Sequence, residues 1–296
     1  MAIDGIILID KDEGMTSFEV VRKIKGRFDV QKAGHAGTLD KAASGLLIVC
    51  INRATAVQNI FMSNFKIYQA VLSLGKETDT LDSHGRIVRE ERVEEYSDTR
   101  IIDILQRYTG KIYQTPPAFS AIHYKGERLY KKALRGEVSD IAPREVEVKT
   151  LKLLKNKRGE ITFEACTSKG TYIRSLARDI ANALGTCGHL STLRRLEIGP
   201  FSVKEAVKLG EVFNWSRVIS LGTALGYLPH VMVSQEEADL ILNGTPPGKI
   251  FSEKGNLFTD NSYIRVLFEK RLIAIVEIGN PLKYFKVFRN LEVVHS

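Results

Sequence analysis

Only three cysteines occur in 296 residues, Cys50, Cys166 and Cys187, too few and too scattered for a disulfide framework. A reducing compartment is expected, with Cys50 and Cys166 as small apolar residues within strands. No stretch approaches the apolar length of a membrane span. Met1 to Gly5 has neither the basic nor the apolar part of a secretory leader, so a cytoplasmic chain is expected. The six histidines are dispersed without a His-x-x-x-His pair, which gives no support to a metal site. A phosphate loop of the Gly-x-x-x-x-Gly-Lys-Ser/Thr type, a dinucleotide Gly-x-Gly-x-x-Gly and a Gly-x-Ser-x-Gly elbow are all missing. What this leaves is acid/base or nucleophilic chemistry by a carboxylate, with no cofactor.

Acidic residues are also short. Lys and Arg number 43 against 35 Asp and Glu, a formal net charge of +8. From Pro229 onward, eight basic residues balance eight acidic ones, so the excess lies earlier. Between Lys111 and Arg135 stand six basic residues (Lys111, Lys125, Arg128, Lys131, Lys132, Arg135) and a single acid, Glu127. Such a segment beside aromatics suits phosphate contact, although a solvated helix face has the same composition.

The most informative stretch is Gly34 to Leu47. Three glycines and several small residues surround one carboxylate, Asp40, and the apolar run Leu46 to Ile51 follows. Asp40 is expected on a tight loop feeding a core strand. Two readings of it stand at this point: a turn cap, or a reactive group. Arg174 is a candidate partner. It lies in the first turn of an expected helix whose stripe is Ile173, Leu176, Ala177, Ile180, Ala181 and Leu184, with Gly185 at its end. An arginine beside a carboxylate favours the ionised form. Spacing alone does not separate that role from an exposed ion pair. Tyr68 shares a strand face with Ala70, Leu72 and Leu74. It is either a core tyrosine or a base-stacking platform.

Along the chain we expect a strand over Gly5 to Asp10 and a capping box at Thr16 to Glu19. A helix to Phe28 follows, with Phe18, Val21, Ile24 and Phe28 on its apolar face. Pro116-Pro117 opens an irregular basic excursion over about 115–145, which excludes helix and central strand at its start. A hairpin is expected over Glu145 to Ser168, a loop at Cys187-Gly188-His189, and a short helical stretch over Val203 to Val212. Near Leu228-Pro229 the charge becomes balanced. Turn signals recur at Asn243-Gly244, Pro246-Pro247-Gly248, Lys254-Gly255-Asn256 and Gly279-Asn280-Pro281. We place a domain boundary there.

Taken together, these motifs resemble the TruB-type tRNA pseudouridine synthases. Gly34-His35-Ala36-Gly37-Thr38-Leu39-Asp40 with Ala43 to Leu47 is similar to that family's catalytic segment. Lys66-Ile67-Tyr68, Thr78-Asp79-Thr80, Asp82 and Gly85 match its second motif. Pro116 to Ala121 with Lys125-Gly126, Arg128, Leu129 and Tyr130 matches its RNA-gripping segment. Ser168 to Leu176 and Leu193-Arg194-Arg195-Leu196 complete the order. The resemblance implies an α+β fold: a mixed, mainly antiparallel sheet with flanking helices as a catalytic domain (1–228), and a small β-rich PUA-like RNA-binding module (229–296). It implies Asp40 as the essential carboxylate, Arg174 as its ion-pair partner and Tyr68 stacked on the target base. His35, Asp82, Tyr172 and Leu196 would help hold that nucleotide, and Lys125, Arg128, Lys131 and Lys132 would grip RNA. The implied substrate is the uridine at position 55 in the T-arm stem-loop of tRNA, flipped out of its loop. The arm argues for a protein-only enzyme without guide RNA, and a monomer is expected. One departure stands out: the family has proline after the catalytic aspartate, and this chain has Lys41. Near the C-terminus, Lys283, Lys286 and Arg289 interleave with Tyr284, Phe285 and Phe288. That pattern fits either an RNA face or a charged edge strand.

Overall fold

The computed structural model describes residues 4–120, 123–124, 127–137, 141–212, 215–251 and 263–289. The chain begins with β1 (Gly5–Lys11), α1 (Ser17–Phe28), β2 (Ala33–His35) and β3 (Ala43–Ile51). A 3-10 turn (Asn52–Val57) then runs into α2 (Gln58–Ser63), and β4 (Lys66–Leu74) follows. The hairpin β5 (Lys76–Thr78) and β6 (Ile87–Glu90) precedes α3 (Asp98–Arg107) and β7 (Gly110–Gln114). Within the basic excursion stand β8 (His123–Tyr124), β9 (Glu127–Arg128) and α4 (Leu129–Leu134). Next come β10 (Arg144–Lys157), β11 (Glu160–Thr167), α5 (Ile173–Leu184) and β12 (Gly188–Ile198). Three two-residue strands, β13 (Phe201–Ser202), β14 (Val207–Lys208) and β15 (Ile219–Ser220), lead to α6 (Leu221–Ala224). The remainder is β16 (His230–Met232), α7 (Gln235–Leu242), α8 (Pro247–Ile250), β17 (Tyr263–Phe268), β18 (Arg271–Glu277) and β19 (Lys283–Val287).

Among the described residues the large sheet has the order β14-β1-β3-β12-β4-β11-β10-β7. Only β1 with β14 and β3 with β12 pair in parallel within that path; the other steps are antiparallel. The class is the expected α+β. Strand β4 alternates as its sequence does, with Tyr68, Ala70, Leu72 and Leu74 buried. Their cluster meets Leu176, Ala177, Ile180 and Leu184 of α5, whose left-handed end is Gly185. Leu47, Val49 and Ile51 of β3 meet Val20, Val21 and Ile24 of α1. The register Ala43–Leu193 and Leu193–Ala70 carries one sheet face from β3 through β12 to β4, so α1 and α5 lie on the same side.

Several local expectations change. The capping box at Thr16 is present, but Phe18 points outward at 70% exposure and Val20 takes its place in the core. Gly188 and His189 open β12 instead of forming a loop. Added to Gly188, a Cβ would sit 2.8 Å from the Ser73 carbonyl oxygen, so the close strand approach requires glycine there. Val203 to Val212 is not one helical stretch. Val207 and Lys208 pair with Ile9 and Asp10 of β1, and that edge pairing splits the segment into two 3-10 turns.

The C-terminal sheet runs β16-β17-β18-β19. One of its faces has its own core around Val231, Ile241, Ile264, Val266 and Ala274. Leu267, Leu272, Ile275 and Phe288 instead join Ile6, Leu8 and Ile48 on the large sheet's other face, together with Leu225 at the end of α6. Arg265, buried, donates to the Leu228 and Gly226 carbonyls at 3.0 Å each, pinning the sheet to the segment before it. Strand β19 is an edge strand: Phe285 packs on the shared core and Phe288 is buried in it. Those two aromatics therefore contribute to packing. Gly244 ends α7 in the left-handed conformation, while Lys254-Gly255-Asn256 lies outside the described residues.

Candidate active site

Asp40 lies on the loop between β2 and β3, and α5 brings Arg174 to it from 134 positions along the chain. Arg174 Nε donates to Asp40 Oδ2 at 2.9 Å. The two side chains differ in exposure, 6% for the arginine and 39% for the carboxylate. The cation is thus buried while the carboxylate keeps an open side, which is how an aimed and accessible acid is built. The remaining nitrogens of Arg174 are also engaged. Nη1 donates to the Thr80 carbonyl at 2.7 Å and lies 3.6 Å from Asp82 Oδ2, and Nη2 donates to the Phe119 carbonyl at 3.2 Å. One guanidinium therefore joins the Asp40 loop, the 77–85 loop and the start of the basic excursion. The fork geometry of arginine suits this, and lysine could not reproduce it.

A small pocket opens beside Asp40, lined by Ala43, Asp82, Arg174, Leu190, Ser191 and Leu193 among others. Asp82 is fixed within it: Oδ1 accepts from Thr80 Oγ1 at 2.7 Å and from the His84 N–H at 3.1 Å. Tyr68 is buried in the cluster that contains Leu39 and Ala43, on the two sides of Asp40. Tyr172 sits at the N-cap of α5. Burial raises its phenol pKa, and the charge of Asp40 adds to the rise. His35 is half-buried on β2, pairing with Val49, and its Nδ1 has no protein partner among the described residues. Burial pushes the His35 pKa down, the charge of Arg195 pushes it further, and the nearby Gly37 backbone opposes both. Its ring is held toward the neutral form.

Other expected residues are placed differently. Leu196 falls in a bulge of β12 and does not line the pocket; Leu190 and Leu193 do. Lys125 lies outside the described residues, as do the side chains of Arg128 and Lys131, whose backbones belong to β9 and α4. Lys132 is half-buried on α4. Arg135 is neutralised by Glu127 at 2.7 Å and Glu137 at 2.9 Å, and Lys111 faces Glu145 at 3.4 Å. The basic segment therefore offers less free charge than its composition suggests.

Residues that spacing did not single out support the loop. Ser17 Oγ donates to the Leu39 carbonyl at 3.0 Å and accepts from the Leu39 N–H at 2.8 Å. The buried Lys11 ammonium holds the Asp12 and Met15 carbonyls at 2.9 and 2.8 Å. Burial lowers its pKa to about 8, against the attraction of Asp40. Arg195, 1% exposed, donates to the Leu46, Gly37 and Thr38 carbonyls at 2.7, 3.1 and 3.4 Å. Strand parity was the available signal for its burial: Arg195, two residues on, shares a sheet face with the core residue Leu193. Among the described residues, no three His, Cys, Asp or Glu side chains converge on a metal position, and no helix is long and apolar enough to cross a membrane.

Comparison with known proteins places this arrangement. Residues 25–173 match the TruB family pseudouridylate synthase (N terminal domain), and residues 174–236 match the tRNA pseudouridylate synthase B C-terminal domain. A tRNA pseudouridine synthase B of Aquifex aeolicus is 40% identical over 248 residues, covering 82% of this chain and 86% of its own. The protein of that name from Francisella philomiragia is 34% identical, covering 99% of this chain and 97% of its own. Among solved structures, a chain of a Cbf5-Nop10-Gar1 complex superposes with a TM-score of 0.71 at 24% identity, over 92% of this chain and 78% of that one. That likeness describes the fold. The motif order, the Asp40–Arg174 pair and these matches lead to one conclusion: the chain belongs to the TruB family of pseudouridylate synthases.

Proposed function

We infer that the protein is a stand-alone tRNA pseudouridine synthase that isomerises the uridine at position 55 of the T-arm stem-loop. The observation that carries the reading is the ion pair between buried Arg174 and half-open Asp40, with the start of the basic excursion bonded to the same guanidinium. In the reaction the glycosidic bond from the ribose to N1 of uracil breaks, the base turns, and a bond to its carbon 5 forms. The proton on carbon 5 leaves and N1 gains one. Nothing is oxidised or reduced, so the chemistry asks for a carboxylate and a sheltered pocket. Asp40 is the reactive carboxylate in this reading, acting as nucleophile or base. Arg174 holds it aimed, Tyr68 supports the flipped base, and His35, Asp82 and Tyr172 surround it. Leu193 takes the apolar role that the resemblance assigned to Leu196.

The 115–145 excursion serves as the RNA-gripping arm, through Lys125, Arg128, Lys131 and Lys132, and makes a guide RNA unnecessary. The chain divides into a catalytic domain (1–228) and a PUA-like module (229–296), and acts as a monomer. Incubation with an unmodified T-arm stem-loop, followed by pseudouridine mapping, tests the reading. Product at position 55 without guide RNA or partner is expected, and none from Asp40→Asn, which still binds the RNA. Wild-type turnover by Asp40→Asn would remove Asp40 from the chemistry.

A further inference from the structure

Helix α1 carries four basic residues, Arg22, Lys23, Lys25 and Arg27, against one acid, Glu19, which is occupied in the capping box. Its buried face is Ser17, Val20, Val21 and Ile24. The outward face presents Phe18, Arg22 and Lys25 at positions i, i+4 and i+7, one above the other. All three are exposed, Phe18 at 70%. Arg27 is committed elsewhere, donating to the Leu209 and Val212 carbonyls at 3.1 and 2.7 Å. A single exposed aromatic needs no explanation. An aromatic in line with two exposed cations is the arrangement that binds single-stranded nucleic acid, by base stacking and phosphate contact.

The position of this face gives it meaning. Ser17, next to Phe18, is bonded twice to the backbone of Leu39, and the Gly14 N–H donates to the Lys41 carbonyl at 2.8 Å. The start of α1 is thus fastened to the residues on both sides of Asp40. Lys41 is exposed, and its charge reaches the Glu19 carboxylate on the same helix, so it extends the strip to the mouth of the site. Helices α1 and α5 share one side of the sheet with the Asp40 loop between them. The basic excursion approaches from the α5 side, through the Phe119 carbonyl on Arg174. The α1 face borders the other side. Continuity with the Asp40 loop and positive charge select a polyanion, and the exposed ring selects one with unpaired bases.

We propose that Phe18, Arg22, Lys25 and Lys41 form a second RNA-docking strip, across from the arm, for the strand that flanks the target uridine. Phe18 stacks on an unpaired base, and the three cations contact successive phosphates. The strip rests on the reading that the substrate is RNA.

The test combines binding isotherms at several salt concentrations with steady-state pseudouridine formation, using the unmodified T-arm stem-loop and full-length unmodified tRNA. Arg22→Glu with Lys25→Glu is expected to weaken RNA binding at least about tenfold. It should also reduce the slope of log affinity against log salt by roughly 1.4 to 1.8, two phosphate contacts' worth. Phe18→Ala should weaken binding by about 5- to 100-fold with the slope unchanged, and Phe18→Tyr should restore it. Turnover at saturating RNA should stay within about twofold of wild type in every case, since none of these side chains touches the reacting atoms. Lys155→Glu with Lys157→Glu, at the distant β10–β11 turn, makes the same charge change and should leave affinity nearly intact. If the α1 reversal weakens binding no more than that control, the strip is wrong while the pseudouridine reading survives. Arg22→Ala with Lys25→Ala decides the same point without reversed charge. If wild-type protein makes no pseudouridine in any of these RNAs, the functional reading fails and takes the strip with it.

Discussion

Arg195 Nη2 lies 3.1 Å from the carbonyl oxygen of Gly37, so β12 holds the Asp40 loop from within the core. The same guanidinium reaches Leu46 and Thr38, and among the described residues none of its hydrogen bonds goes to a carboxylate. Gly45 makes the approach possible. Its φ is +104°, and a Cβ there would lie 2.2 Å from the Arg195 carbonyl oxygen. The charge is tolerated in the core because three carbonyl dipoles face it.

Replacing Arg195 by Lys keeps the charge but supplies one donor point in place of a planar fork. We expect turnover at saturating RNA to fall about 10- to 100-fold, with RNA affinity nearly unchanged, because a misplaced reacting group costs rate before it costs binding. Arg195→Met leaves buried carbonyls unpaired and should also lose on the order of 2–4 kcal/mol of stability. Single-turnover rates and urea unfolding separate the two effects. A Lys variant with wild-type turnover would reduce Arg195 to a packing residue.

Lys66 offers a test by pH. Its ammonium donates to the Met62 and Asn64 carbonyls at the end of α2, and its pKa is lowered to about 8, by burial first and then by Arg195 and Lys169. Between about pH 8 and 10.5 the unfolded chain holds the proton that the folded chain has released. The unfolded state then binds more protons, so stability contributed by this site rises with pH across that window. The urea midpoint of wild type relative to Lys66→Met should therefore increase from pH 7.5 to 9.5. A constant or shrinking difference would mean that Lys66 is not held in a charge-disfavouring position.

His35 shows the same sign at lower pH. Its folded pKa is depressed below 6.5, by burial first and then by Arg195. As pH falls below 6.5, the unfolded imidazole protonates before the folded one, so the folded state loses stability until both are protonated. His35→Gln should flatten this acid-side loss, and the His35 ring resonances should titrate below 6.5. A midpoint above 6.5 would contradict the neutral ring described for the site.

The Asp40 loop, the Tyr68 strand and the α5 stripe were legible in sequence because each is a strong local pattern: glycines bounding an apolar run, period two, period 3.6. Phe18 was misplaced for the same reason. Its spacing fits the apolar face, and only the direction in which α1 meets the sheet decides between Phe18 and Val20. Leu196 lies where β12 is bulged, so simple alternation along that strand does not predict that Leu190 and Leu193 are the residues beside Asp40. Val207 and Lys208 became a strand because β1 offered an unpaired edge, which no local propensity records. The Arg195 contacts were invisible for a related reason: they span roughly 150 residues and end on backbone carbonyls, which carry no side-chain signature.

The last prediction concerns how the start of α5 is held. Gln114, 1% exposed, donates from Nε2 to the Tyr172 carbonyl at 3.1 Å and accepts from the Tyr172 N–H at 2.8 Å. One residue on, the Thr115 carbonyl accepts from Ser175 Oγ at 2.8 Å. The end of β7 thus grips α5 on both sides of Arg174, and Arg174 in turn aims Asp40. Gln114→Leu fills the space but breaks both amide bonds; the Tyr172 carbonyl keeps its bond from the Leu176 N–H, while the Tyr172 N–H is left unpaired, at a cost of roughly 1–3 kcal/mol. Turnover at saturating RNA should drop about tenfold as Arg174 loses its fixed approach, with RNA affinity within about twofold of wild type. Ser175→Ala alone should act in the same direction and more weakly. Because both bonds fix one helix end, the double variant should lose less than the sum of the two singles, with a coupling above about 0.5 kcal/mol. Strict additivity would show that β7 does not hold the helix end as a unit, and that the aim of Arg174 is set from the Asp40 side.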